Sequence, residues 1–224
     1  MFKTSIYAGF LLLLLSACTA SPDKNAGAAK DSSRITNDST DSMKTILFFG
    51  NSLTAGYGLE PEEAFPALIQ DKIDSLNLSY KVVNAGNSGE TSAGGKSRID
   101  WLLKQKVDVF VLELGANDGL RGIPVSETTA NLQNIVDQVK AKYPDVKMVM
   151  TGMQVPPNMG SKYATEFSQI FKSIAEKNDM AYVPFLLDRV GGIAELNQSD
   201  GIHPTAEGQK ILADNVWKVL EKLL

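Results

Sequence analysis

Apolar residues along this chain fall into two rhythms. Five short runs, TILFFG (45–50), YKVVNAG (80–86), VDVFVLELG (107–115), VKMVMTG (146–152) and MAYVPF (180–185), lack polar–apolar alternation. Strands covered on both faces read this way. Between the runs, apolar positions recur at helical spacing. Phe65, Leu68, Ile69, Ile73 and Leu76 share one helix face, as do Leu132, Ile135, Val136, Val139 and Tyr143. Tyr163, Phe167, Ile170, Phe171 and Ile174 repeat the pattern, and Leu212, Val216, Val219, Leu220 and Leu223 close the chain. Residues 91–105 give a weaker helical pattern. Pro124 and Pro204 fit the first position of a helix, where no backbone N–H is needed. Strand–helix alternation predicts an α/β fold: a three-layer α/β/α sandwich on a five-stranded parallel sheet, with right-handed crossovers. Strand order is not written in this pattern, and no repeat of 20–50 residues is visible.

The N-terminus follows neither rhythm. One Lys in Met1–Thr4 precedes the apolar run IYAGFLLLLL, which is too short to span a bilayer and has the layout of a secretory signal peptide. Leu15-Ser16-Ala17-Cys18 resembles the lipobox of bacterial lipoproteins. That resemblance implies cleavage before Cys18 and lipid on its sulfur, and so anchorage to a membrane. The other interpretation is an ordinary signal followed by a chance cysteine. Cys18 is the only cysteine of the 224 residues, so an intramolecular disulfide is excluded. The stretch from Thr19 to Ser42 holds one large apolar residue, Ile35, among charges of both signs. Such a composition cannot offset its ordering entropy. The expected organisation is a signal peptide over 1–17, a lipidated tether over 18–43 reaching roughly 25–30 Å, and a folded domain over 44–224. The expected location is the cell envelope, as an exported protein.

Composition narrows the rest. With 43% hydrophobic and 21% charged residues the chain reads as globular. A net charge of −4 without a basic block gives no sign of a nucleic-acid surface. One histidine and one cysteine do not make a zinc ligand set, so neither metal nor cofactor is expected. Oligomeric state is left open.

Polar, glycine-containing turns follow the first three strand candidates: GNSLTAG, NAGNSGETS and GAND. In an open parallel sheet these turns share the crevice beyond the carboxyl ends of the strands, where ligands bind. A fourth polar cluster, SDGIHP (199–204), precedes the last helix. Ser52 needs a base to attack a carbonyl, and His203 is the only imidazole. Asp200, three residues before it, can fix its tautomer and balance its cation. Gly89 allows close backbone approach to a developing oxyanion, and Asn117 offers an amide. Each residue also has a plainer explanation. Ser52 or Asn117 can cap a helix, Gly89 and Asp200 can serve turn geometry, and His203 can be a surface residue.

In this order, GNSLTAG, NAGNSGETS, LELGANDGLRG and DGIHP resemble the four sequence blocks of the SGNH hydrolases, also called GDSL esterases, over about residues 44–223. LELGANDGLRG, MQVPPNMGSKY and SDGIHP are most similar to the bacterial thioesterase I/lysophospholipase/arylesterase group. The resemblance implies a flavodoxin-like sheet and a serine esterase working through an acyl-serine intermediate. It makes Ser52 the nucleophile, His203 the base and Asp200 its partner, with an oxyanion hole of Ser52 N–H, Gly89 N–H and the Asn117 side chain. It implies small-molecule or lipid esters as substrates: short-chain or aryl esters, lysophospholipids or acyl thioesters. The alternatives are an O-acetyl esterase for carbohydrates and a non-catalytic lipoprotein that binds a glycan or partner. One departure stands out, because the family usually carries Asp where this chain has Asn51.

Other signals carry less. GETSAGGKS (89–97) imitates a phosphate loop, but Glu90 stands where the spacing needs glycine. Glu113, in an apolar strand, reads as a strand-end carboxylate or a perturbed acid. Asp118 reads as a turn or cap residue. Trp101 and Trp217 read as packing on helix faces, and Met153–Tyr163 and Val190–Leu196 are expected to border an acyl groove.

Overall fold

The structure, a computed structural model, describes residues 43–224. The signal peptide, Cys18 and the tether as far as residue 42 lie outside the described residues. Five strands, β1 (Lys44–Gly50), β2 (Tyr80–Gly86), β3 (Val109–Glu113), β4 (Lys147–Thr151) and β5 (Ala181–Val183), form one parallel sheet in the order β2-β1-β3-β4-β5. Helices α1 (Ser52–Ala55), α2 (Phe65–Ser75), α3 (Ser92–Leu102), α4 (Ala116–Leu120), α5 (Val125–Lys142), α6 (Ser161–Lys177) and α7 (Ala206–Leu220) complete the domain. On one face of the sheet α5 packs against both α3 and α6, while α2 and α7 pack together in the other layer. Residues 43–224 therefore form an α/β/α sandwich.

Burial explains which runs were legible. All five residues of β3 are buried, as are Ile46–Gly50 of β1 and four of the five residues of β4. Their side chains pack both ways, into helices on either face, which leaves no polar alternation. Edge strand β2 shows more exposure and β5 is only three residues long. Both prolines sit slightly earlier than expected. Pro124 is the cap residue before α5, and Pro204 precedes Thr205, the cap of α7. Trp101 corrects an expectation: it is 67% exposed, because its position on α3 faces away from the sheet. Trp217 is half-buried against the core.

The topology positions the site. Chain order runs one way from β1 to β2 and the other way through β3, β4 and β5, so the direction reverses between β1 and β3. A crevice opens beyond the carboxyl ends of strands at such a reversal. Gly50 of β1 stands level with Gly86 of β2 and with Glu113 of β3. The three polar turns therefore leave the sheet side by side.

Candidate active site

β1 ends at Gly50 and α1 begins two residues later. Asn51 caps α1 by accepting the Leu53 N–H on its side-chain oxygen at 2.9 Å. Ser52 is thus not the cap but the first helical residue, 8% exposed, with its hydroxyl at the cavity wall. At this position its own N–H has no preceding helical carbonyl, and it finds no acceptor among the described residues.

The His203 ring reaches Ser52 from the loop before α7. Nε2 lies 2.9 Å from Ser52 Oγ, and Nδ1 lies 2.6 Å from Asp200 Oδ2. The other Asp200 oxygen accepts the backbone N–H groups of Ile202 and His203, both at 3.0 Å. The His203 ring N–H, seconded by those two amides, holds the Asp200 carboxyl down at about 2. Asp200 therefore faces the imidazole as a carboxylate. The loop is clamped at its base. Asn197 and Pro204 form an antiparallel bridge, and Gln198 N–H donates to His203 O at 2.7 Å. The Gln198 side chain donates to the carbonyls of Tyr57 and Pro204, tying the histidine loop to the loop after α1. The Tyr57 ring lies against the imidazole, with centroids 4.5 Å apart.

Gly89 and Asn117 come from the other two turns to the same cavity. Gly89 has φ +79°, a conformation that side chains with a Cβ avoid, and its N–H has no acceptor among the described residues. Asn117 lies within α4 rather than capping it. Its amide donates to Glu90 O at 3.0 Å, which locks it to the Gly89 turn and leaves a second N–H free to donate. Asp118, expected as a turn or cap residue, is fully buried and caps the start of α3 from α4. It accepts Ser92 Oγ at 2.5 Å and Ser92 N at 2.8 Å, and Thr128 Oγ1 approaches at 3.4 Å. Asp118 thus pins the start of α3 to α4, and with it Gly89 to Asn117. Behind the Gly89 turn, Arg98 makes an ion pair with the buried Glu90. Sequence patterns gave no sign of the Gln198–Tyr57 or Asp118–Ser92 ties, because each joins segments separated in the chain, nor of the Glu90–Arg98 pair, which spans only eight residues but does not lie within one helix or strand.

The cavity encloses about 510 Å³. Met153, Val155 and Leu187 give it an apolar wall, while Tyr57, Leu120 and Ile202 stand exposed at its rim. Of the expected groove segments, 153–156 and 191–192 line it. A second cavity, of about 310 Å³, lies at the opposite end of the sheet among Lys44, Lys106, Lys142 and Lys147, and holds none of these groups. Among the described residues no three His, Cys, Asp or Glu side chains converge as a metal-ligand set.

A hydroxyl on imidazole on carboxylate, at the carboxyl edge of a parallel sheet and beside spare N–H donors, defines a serine hydrolase of the α/β/α type. Comparison with known proteins places it further. Residues 48–211 match the GDSL-like Lipase/Acylhydrolase family. Esterase TesA of Pseudomonas aeruginosa is 40% identical over 182 residues, 81% of this chain and 90% of that one. Thioesterase 1/protease 1/lysophospholipase L1 of Escherichia coli K12 is 39% identical over 181 residues, 80% of this chain and 85% of that one. A crystal structure of TesA superposes with a TM-score of 0.77 at 40% identity, covering 81% of this chain and all of the other. The psychrotrophic esterase EstA of Pseudoalteromonas, in a structure inhibited by monoethylphosphonate, gives 0.74 at 35% identity over 80% and 98%. The chain belongs to the GDSL-like lipase/acylhydrolase family, the SGNH hydrolases, and is an ester-hydrolysing enzyme of the esterase, thioesterase and lysophospholipase kind.

Proposed function

We propose that Ser52, His203 and Asp200 are the catalytic triad of this esterase. In our proposal the N–H groups of Ser52 and Gly89 and the Asn117 amide form its oxyanion hole. The observation that carries this is the unbroken chain Asp200–His203–Ser52, at 2.6 and 2.9 Å. His203 Nε2 takes the Ser52 proton as Oγ bonds to the ester carbonyl carbon. The carbonyl electrons move onto oxygen, facing the three donors. As the carbonyl reforms, the alcohol or thiol leaves with the proton from His203. Water, deprotonated by the same nitrogen, then releases the acid and returns the proton to Ser52. Asp200 stays ionised throughout and steadies the imidazolium. A relative held by monoethylphosphonate agrees with a site that accepts a tetrahedral phosphorus group.

Lysophospholipids or simple esters are the substrates we favour. The apolar wall of the cavity suits an acyl chain, and one relative is named a lysophospholipase as well as a thioesterase. We further propose that the enzyme acts outside the cytoplasm as an envelope lipoprotein, anchored through Cys18 by residues 18–43.

Ser52→Ala tests the chemistry. It should retain wild-type circular dichroism and lose p-nitrophenyl ester hydrolysis, together with labelling by a serine-directed fluorophosphonate. Comparable turnover by the folded variant would rule out an acyl-serine route.

A further inference from the structure

Beneath the nucleophile turn lies a carboxyl that the triad does not use. Glu113, the last residue of β3, is 1% exposed and stands level with Gly50. A Cβ on Gly50 would come within 2.6 Å of Glu113 Oε2, so the strand end is bare where the carboxyl enters. Oε2 accepts Asn51 N at 3.1 Å and Thr54 Oγ1 at 2.7 Å, and Oε1 accepts Asn51 Nδ2 at 2.7 Å. All three groups donate. Asn51 is engaged at both ends, since its Oδ1 caps the Leu53 N–H. The amide has one satisfactory orientation. Turned over, it would set oxygen against carboxylate and NH₂ against N–H.

We propose that Glu113 is a positioning residue for Ser52: its ionised carboxylate, held by Asn51 and Thr54, fixes the turn that aims the hydroxyl. The amide of Asn51 lets that carboxylate do so without sharing a proton. This rests on Ser52 being the nucleophile. Two carboxyl oxygens at the 2.7 Å that separates Asn51 Nδ2 from Glu113 Oε1 cannot both be ionised, so an acid at residue 51 would have to share one proton with Glu113. The amide removes that need.

Few charges face the carboxyl. From β1 and α1 it meets only backbone, Asn51 and Thr54. Arg98 of α3 comes as near as the Gly50 carbonyl, at 3.4 Å, but its guanidinium is engaged with Glu90 and Ala85 O. His203 lies beyond Ser52. Burial pushes the Glu113 carboxyl up to about 7, against the pull of its donors. When protonated, it would direct a proton at groups that already donate, and the turn would lose its hold. Turnover should therefore fall below about pH 7 more steeply than the need for a neutral His203 alone requires.

The test measures kcat and KM against pH on a soluble p-nitrophenyl ester, with the labelling rate of Ser52 by a fluorophosphonate and Tm. The variants are E113Q, N51D and N51D/E113Q. In either orientation E113Q sets its NH₂ against a donor, the Asn51 amide or the Asn51 backbone N–H, and should lose about 10- to 100-fold in kcat at pH 8 with KM within about twofold. Its acid limb should become shallower. N51D should gain a fall in kcat at alkaline pH, as the paired carboxyls lose their shared proton. N51D/E113Q exchanges amide and carboxylate and satisfies every group again. It should recover kcat to within about fivefold of wild type and lose the alkaline fall.

Wild-type kcat and pH profile in E113Q would overturn the proposal. So would a double variant no better than E113Q at comparable Tm. If E113Q fails to fold, the other two variants decide: an N51D profile without an alkaline fall, or a double variant that keeps one, would overturn it. Absence of wild-type labelling at Ser52 would instead remove Ser52 as nucleophile. Labelling that proceeds equally in all variants would remove only the role of Glu113.

Discussion

His203 can take the Ser52 proton only if its other nitrogen holds a proton and a partner. Asp200 supplies that partner as a carboxylate kept ionised down to about pH 2, so the tautomer is set across the working range of the enzyme. The oxyanion donors are a separate requirement, and Asn117 tests them. Asn117→Ala removes one of the proposed donors and the tie to Glu90, and should lower kcat by about 10²–10³-fold. Labelling of Ser52 by a fluorophosphonate should slow with it, because the phosphonyl oxygen uses the same donors. Undiminished kcat in a folded N117A protein would show that the amide lies outside the reacting geometry. Ser52, Asp200 and His203 were legible in the sequence because each sits in a short polar turn beside an apolar strand or helix. The residues that aim them were not. Glu113 reaches Asn51 across 62 positions, and Gln198 reaches Tyr57 across 141. Spacing along the chain says nothing about such partners, and a glutamate in an apolar run looks alike whether it ends a strand in solvent or supports a nucleophile.

β3 and α1 meet at that glutamate, and their junction sets stability against catalysis. Burial raises the folded-state carboxyl of Glu113 from 4.5 to about 7. A raised carboxyl binds its proton more tightly in the folded chain than in the unfolded one. The resulting stability is fully present below about pH 4.5 and is lost as pH rises towards 7. A shift of this size amounts to about 3 kcal/mol. Urea titrations of wild type and Glu113→Gln at about pH 4.5 and pH 8 should show it. The gap between the two proteins should move by about that amount in favour of the variant at the higher pH. A gap independent of pH would place Glu113 ionisation at the same pH in the folded and unfolded chains. The same contrast explains what could be read of the elements. β1, β3 and β4 announced themselves because buried strands cannot carry polar side chains freely. α4 did not, because five residues, ANDGL, hold no helical period. Gly94 and Gly95 weakened the signal of α3, and on that helix Trp101 was misplaced onto a packed face when it is exposed.

Lys44 opens β1 at the amino edge of the sheet, whereas Ser52 follows its carboxyl end, about 20 Å away along a seven-residue strand. If residues 18–43 act as the proposed tether, they join at Lys44, at the edge remote from the cavity mouth. A tether of that length would span roughly 25–30 Å as a flexible chain, more than the strand, and would allow the mouth to approach a lipid surface. Exposed Tyr57, Leu120 and Ile202 at the rim would then meet acyl chains rather than water. If Cys18 carries the lipid, Cys18→Ser should move the protein from the membrane fraction of an expressing bacterium to the soluble fraction. The mass of the mature wild-type N-terminus should show acyl groups that the variant lacks. Turnover of a soluble p-nitrophenyl ester should be unchanged, since the domain that holds the proposed triad is untouched. Hydrolysis of lysophospholipid presented in the membrane should fall, because anchoring confines enzyme and substrate to one surface and raises their effective concentration. Retention of the C18S protein in the membrane fraction would locate the anchor elsewhere. Loss of activity on the soluble ester would mean that residues 18–43 contribute to the site itself.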